Sequence, residues 1–198
     1  MEQQEKQSVT SDQLSVKNKT ILSFAAFLAS GFWLSHVVYN VTKKSSALKS
    51  IEKLFPGADR WKGCGLVGTA GGFVVALVFS GFIPNVHLCP LIVCLLAATA
   101  VSVLIAFKAE KYYNRKDDSR IVIDEFIGYL WAVVFVLPAD LTVLAAAFIL
   151  FRIFDVIKLS FIRKLEELPY GFGCVLDDVA SGILAALIII GSRSILNF

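Results

Sequence analysis

IVIDEFIGYLWAVVFVLPADLTVLAAAFILFRIFDVI, residues 121–157, is the run whose reading decides the fold. It is apolar almost without interruption and shows no period-2 alternation. It therefore reads as helix and not as the strands of a barrel. A hydrocarbon core is crossed by about 20 helical residues, so the run is too long for one passage. Pro138 and Asp140 break it near the middle and predict a helical hairpin. Apart from Asp140 at the break, its charges lie near the ends. Asp124 and Glu125 stand where the hairpin begins, and Arg152 and Asp155 stand where it closes, with Lys158 just beyond.

The same character extends in both directions. Further apolar blocks run over 20–41, 64–83, 87–107 and 175–190. Together with the hairpin they predict an all-α, polytopic membrane bundle of about six segments. The chain has 198 residues, 57% of them hydrophobic and 18% charged. Its mean hydropathy is +0.71. A soluble domain carries more charge than this. Small residues in two blocks (Gly68, Gly71, Gly72; Ala180, Gly182, Ala185, Ala186) suit close helix packing in lipid. Residues 1–19 read as a polar, disordered tail, and 20–198 as a single membrane-embedded domain. A formal net charge of +3 gives no case for nucleic acid. Lys and Arg gather in 42–63, 108–120 and 158–174, whereas 84–86 and 138–140 carry none. The positive-inside rule places the basic segments in the cytoplasm. Lys17 and Lys19 strain that assignment, so 20–41 is either a true span or a re-entrant or interfacial segment.

This topology carries Asp124, Glu125, Arg152, Asp155, Lys158, Asp177 and Asp178 to one membrane face. Charges at a membrane boundary are paired, hydrated or functional. Clustered carboxylates repel unless a cation answers them, and hard oxygen donors favour Mg²⁺ or Mn²⁺. Arg152 and Lys158 supply positive charge for a phosphoryl group. These are the parts of metal-assisted phosphoryl transfer. Plainer readings exist for each residue. The paired acids sit at helix N-termini, which favour anions. Arg152 and Asp155, three apart, suit a simple pair. Lys158 suits snorkelling.

The glycine-rich opening of the second block, 63–72, begins at the same face. Its backbone N–H groups and Thr69 offer phosphate contacts, although close packing explains small residues there equally. His36 falls near the inner end of the first block, and His87 on the far face. The cysteines (Cys64, Cys89, Cys94, Cys174) form no CxxC pair and read as apolar fillers, not as a zinc site.

Three runs resemble the motifs of one family. Residues 121–128, IVIDEFIG, look like the "IVxDEFIG" signature of the phosphatidylglycerophosphatase A family. Residues 151–158, FRIFDVIK, resemble its "FRxxDxxKP". Residues 171–182, GFGCVLDDVASG, resemble its "GxGxMxDDxxAG". The resemblance implies a multi-pass enzyme of the bacterial inner membrane with its site facing the cytoplasm. It implies Mg²⁺-dependent release of phosphate from phosphatidylglycerophosphate, giving phosphatidylglycerol. Asp124, Glu125, Asp155, Asp177 and Asp178 occupy the family's acidic positions, and Arg152 and Lys158 its basic ones. The metal is then expected on Asp124, Glu125, Asp177 and Asp178. Substrate is expected on Arg152 and Lys158, with Gly68 and Thr69 carried over from a weaker likeness to "PGTxGS". Lys158-Leu159-Ser160-Phe161 lacks both prolines of the family's "KPxP" turn. Direct attack by water and an aspartyl-phosphate intermediate both remain open. The rival readings are an ion- or proton-coupled transporter using the same acids, and an inactive scaffold.

Overall fold

A computed structural model describes residues 18–32, 34–44, 64–82 and 87–196, and every regular element among them is helical. The expected tail up to residue 17, most of the basic 42–63 linker and the 84–86 turn lie outside the described residues. The helices are α1 (Asn18–Ala29), α2 (Leu34–Lys44), α3 (Cys64–Phe82), α4 (Leu88–Tyr113), α5 (Ile123–Val133), α6 (Leu141–Ile157), α7 (Ser160–Glu166) and α8 (Phe172–Leu196).

The hairpin forms where the sequence breaks. Asp140 caps α6 by accepting from the Val143 N–H at 2.8 Å, and the Ala139 N–H donates to Ser80 Oγ at 3.1 Å. Its two arms are shorter than a span. At 1.5 Å per residue α5 covers about 16 Å, half of a hydrocarbon core. By length and composition α3, α4 and α8 can cross a membrane, and the α1–α2 pair makes a fourth if counted as one broken span. Among the described residues, helix length and composition thus support three or four of the about six spans expected. The apolarity of α5 has another cause, because it is wrapped by protein. Ile127, Gly128, Tyr129, Trp131, Ala132 and Val133 are all buried. The first block is not straight either. Gly31 and Phe32 both adopt left-handed backbone (φ 57° and 56°), and α1 meets α2 at 76°.

The most extensive interface is α5 on α8. Gly128 and Gly182 permit it. A Cβ on Gly182 would strike the Gly128 carbonyl, and one on Gly128 would strike the Asp178 carbonyl and Phe151. The two backbones therefore touch, which suits helices that must associate without a hydrophobic drive from lipid. Two large polar side chains inside the bundle find acceptors. Tyr129 Oη donates to the Leu144 carbonyl at 2.9 Å, and Trp131 Nε1 donates to Thr99 Oγ1 at 3.0 Å. The basic segment 158–174 contains α7, which Ile162 anchors in full burial.

Candidate active site

The N-termini of α3, α5 and α8 and the C-terminus of α6 meet at one end of this bundle, and the charged residues meet with them. Asp124 and Glu125 lie in the first turn of α5. Asp178 lies early in α8, which crosses α5 at the glycine contact. One carboxylate oxygen from each of Asp124, Glu125 and Asp178 lies within 4.8 Å of the others. Asp124 and Asp178 are buried, and Glu125 Oε2 is buried without a hydrogen-bond partner. Among the described residues, no ion pair reaches any of the three. Like charges held this closely, with an orphaned oxygen between helices, are costly unless a cation joins them. An all-oxygen donor set fits a hard divalent ion.

The other expected residues arrange themselves around this trio in pairs. Arg152 Nη1 lies 2.8 Å from Asp155 Oδ2 and donates to Thr69 Oγ1 at 3.4 Å. Thr69 is fully buried and donates to the Gly65 carbonyl one turn earlier, at 2.9 Å. Gly65 brings the two groups into register. A Cβ there would overlap Glu125 Oε1 and stand 3.1 Å from Arg152 Nη1. Gly68, expected among the phosphate contacts, instead lets α3 approach the Val122 carbonyl that precedes α5.

Asp177, expected among the metal ligands, points elsewhere. Lys158 Nζ donates to its Oδ2 at 2.5 Å, and the Asp178 N–H donates to its Oδ1 at 2.9 Å. Lys158 adopts left-handed backbone (φ 40°) at the end of α6 and reaches Glu166 Oε2 at 3.6 Å. Burial opposes its charge, the Asp177 and Asp178 carboxylates favour it, and its pKa lies above the ordinary lysine value. In this arrangement the Lys158 charge is held by carboxylates.

Two residues were not singled out from the sequence. Cys174, read as an apolar filler, is buried and its thiol donates to Asp124 Oδ2 at 2.8 Å. Asp117 joins Asp124 and Cys174 in a second group whose donor atoms also lie within 4.8 Å of one another. The signal for Cys174 was its spacing. It precedes Asp178 by four residues and so shares its helix face. Nothing in Lys116-Asp117-Asp118-Ser119 distinguishes Asp117 from Asp118. Asp118 takes a structural role, bound by Arg120 Nε at 2.6 Å and Nη2 at 2.8 Å. Burial raises the Asp118 pKa, the bonds from Arg120 outweigh it, and the carboxyl ends below its ordinary value. Arg120 also lies over the Tyr113 ring, 3.9 Å from its centroid. His36 meets the Tyr113 hydroxyl at 3.4 Å.

A family model described as phosphatidylglycerophosphatase A matches residues 53–193. A Bacteroides thetaiotaomicron protein named putative phosphatidylinositol-3-phosphatase is 31% identical over 139 residues, covering 66% of this chain and 85% of that protein. Phosphatidylglycerophosphatase A of Haemophilus influenzae is 38% identical over 74 residues, 37% of this chain and 45% of its own length. The Escherichia coli K12 protein of the same name is 34% identical over 88 residues, 43% and 51% respectively. The chain thus spans about half the length of these last two. No solved structure matches it.

Proposed function

The chain belongs to the phosphatidylglycerophosphatase A family, and from that premise we propose that it hydrolyses the terminal phosphomonoester of phosphatidylglycerophosphate at the cytoplasmic face of a bacterial inner membrane, with Mg²⁺ as cofactor. The observation that carries this reading is the Asp124–Glu125–Asp178 trio with its orphaned Glu125 Oε2, which meets the Thr69-held Arg152 beside Gly65. In this reading the α5–α6 hairpin enters the bilayer inside the bundle, which brings the membrane segments to about six.

Asp124, Glu125 and Asp178 would hold the cation. When bound, it supplies positive charge to the phosphoryl oxygens and acidifies water. The remaining work belongs to the chain. Arg152 presents a planar fork to two phosphoryl oxygens. Asp155 and Thr69 hold that fork at the mouth of α3, so little is lost in ordering it when substrate arrives. Asp177 fixes Lys158, whose charge then favours an incoming dianion without closing on the trio. Water adds to phosphorus, the ester P–O bond breaks, and the lipid alcohol leaves with a proton originating from that water.

The test is release of inorganic phosphate in detergent micelles from phosphatidylglycerophosphate, and separately from phosphatidylinositol 3-phosphate, with Mg²⁺ and with EDTA. Release from the first lipid that needs Mg²⁺ supports the proposal. Preference for the second moves the substrate to the phosphoinositide class, the chemistry named for the Bacteroides relative. Ion flux in liposomes without release of phosphate from either lipid would hand these acids to a transporter. A trapped phosphoenzyme would replace direct water attack by an aspartyl-phosphate route.

A further inference from the structure

We propose that Cys174 is a positioning residue that sets the orientation of the Asp124 carboxylate for a divalent cation; this rests on the reading of Asp124, Glu125 and Asp178 as the cation site.

The geometry begins on α8. Cys174 and Asp178 are one turn apart and face α5 together. The Asp178 carboxylate joins the trio, and the Cys174 thiol donates to Asp124 Oδ2. On the other side of the same carboxylate, the Glu125 N–H donates to Oδ1 at 3.1 Å. Asp124 is thus gripped at both oxygens, once by its own helix and once by the helix that carries its co-ligand. The grip couples the rotation of Asp124 to the α5–α8 contact, where the glycine pair brings the two backbones together.

The choice of donor matters as much as its place. Asp177, next to the trio, receives an ammonium donor, and its charge is cancelled. A cationic donor on Asp124 would do the same and remove charge that a metal needs. A thiol is a neutral, weak donor. It orients the carboxylate and leaves its full negative charge and remaining lone pairs available. Groups of this kind around a metal ligand typically govern affinity by about 10- to 100-fold. Cys174 is 2% exposed, so its thiol answers to Asp124 and not to bulk solvent.

Mn²⁺ binding to the full chain in detergent micelles, followed by electron paramagnetic resonance, tests this without relying on turnover. Wild type, Cys174→Ser and Cys174→Ala are titrated, and their melting is compared in EDTA. Serine keeps a donor and is expected to bind Mn²⁺ as wild type does. Alanine removes it and is expected to weaken binding about tenfold, with a matching rise in the metal concentration for half-maximal activity and kcat at saturating metal largely kept. If the alanine protein does not fold, Cys174→Val, which fills the space without a donor, takes its place. Equal Mn²⁺ affinity in wild type and the donor-less variant overturns the proposal, as does a serine variant as weak as alanine. No Mn²⁺ binding by folded wild type removes the cation site itself, and the proposal with it.

Discussion

Asp177 and Asp178 are consecutive on one turn of α8, yet their surroundings are opposite. Successive helical residues point about 100° apart. Asp177 turns toward the end of α6, where Lys158 answers it at 2.5 Å. Asp178 turns toward α5, where its carboxylate groups with those of Asp124 and Glu125 and, among the described residues, forms no ion pair. The first acid completes an ion pair within the fold. The second completes a set of like charges to which the fold brings no ion pair. Acidity alone therefore does not tell the two apart. What separates them is whether the protein supplies the counter-charge.

The hardest strain on this contrast is removal of Lys158. Lys158→Met leaves Asp177 buried and unpaired, and losing one partner of a buried pair costs about 3–5 kcal/mol. Unfolding in mixed micelles should show that loss, and Lys158→Met with Asp177→Leu should regain much of it. A stable single variant would show that the pair holds nothing. Asp178→Asn should behave oppositely. Phosphatase activity should fall by about 10²- to 10³-fold, the scale for losing one electrostatic contributor at a reacting centre. Melting in EDTA should hold or rise, because a repelling carboxylate has gone. A melting drop as large as that of Lys158→Met would place Asp178 among the structural acids.

A smaller effect separates an arginine-paired acid, Asp118, from Asp178 through the ion itself. Mg²⁺ at 100 times its dissociation constant should stabilise wild type by about 2.7 kcal/mol. The gain should persist when Asp118 is changed and vanish in Asp178→Asn. Equal stabilisation of wild type and Asp178→Asn would detach the ion from the trio.

The contrast also explains what the sequence could carry. The hairpin was legible because Pro138 and Asp140 punctuate an otherwise seamless apolar run. Convergence at one end was legible because alternating helices return charged ends to the same face. The partition among those charges was not. Asp177 and Asp178 are chemically identical in the sequence, and only the azimuth of α8 against α5, set by Gly128 and Gly182, assigns one to Lys158 and the other to the trio. Burial of α5 by protein was equally invisible, because a core helix and a lipid-facing helix are apolar alike. The break at Pro138 also leaves arms of 11 and 17 residues, so among the described residues helix length supports fewer spans than the apolar blocks imply. Cys174 escaped notice because its role lies across the interface and not along the chain.

Asp118 supplies the mildest test, and one in which pH does the discriminating. Arg120 binds it through two guanidinium nitrogens at the surface end of the bundle. Arg120 is 26% exposed at its side chain, so solvent screens the pair and its worth is about 1 kcal/mol. The Asp118 carboxyl titrates below its ordinary value in the folded chain. Its stabilisation is therefore present above the unfolded carboxylate range and is lost as pH falls through the lower, folded value. Wild type should exceed Asp118→Asn in unfolding stability at pH 7, and the gap should close as pH drops below about 4. Added Mg²⁺ should leave the gap unchanged, since an acid already answered by arginine has no charge left for an ion to satisfy. A gap that widens in acid would mean that Asp118 is held by something other than Arg120. A gap that closes when Mg²⁺ is added at neutral pH would mean that the paired and unpaired acids form one electrostatic system, and the division between Asp177 and Asp178 would lose its meaning.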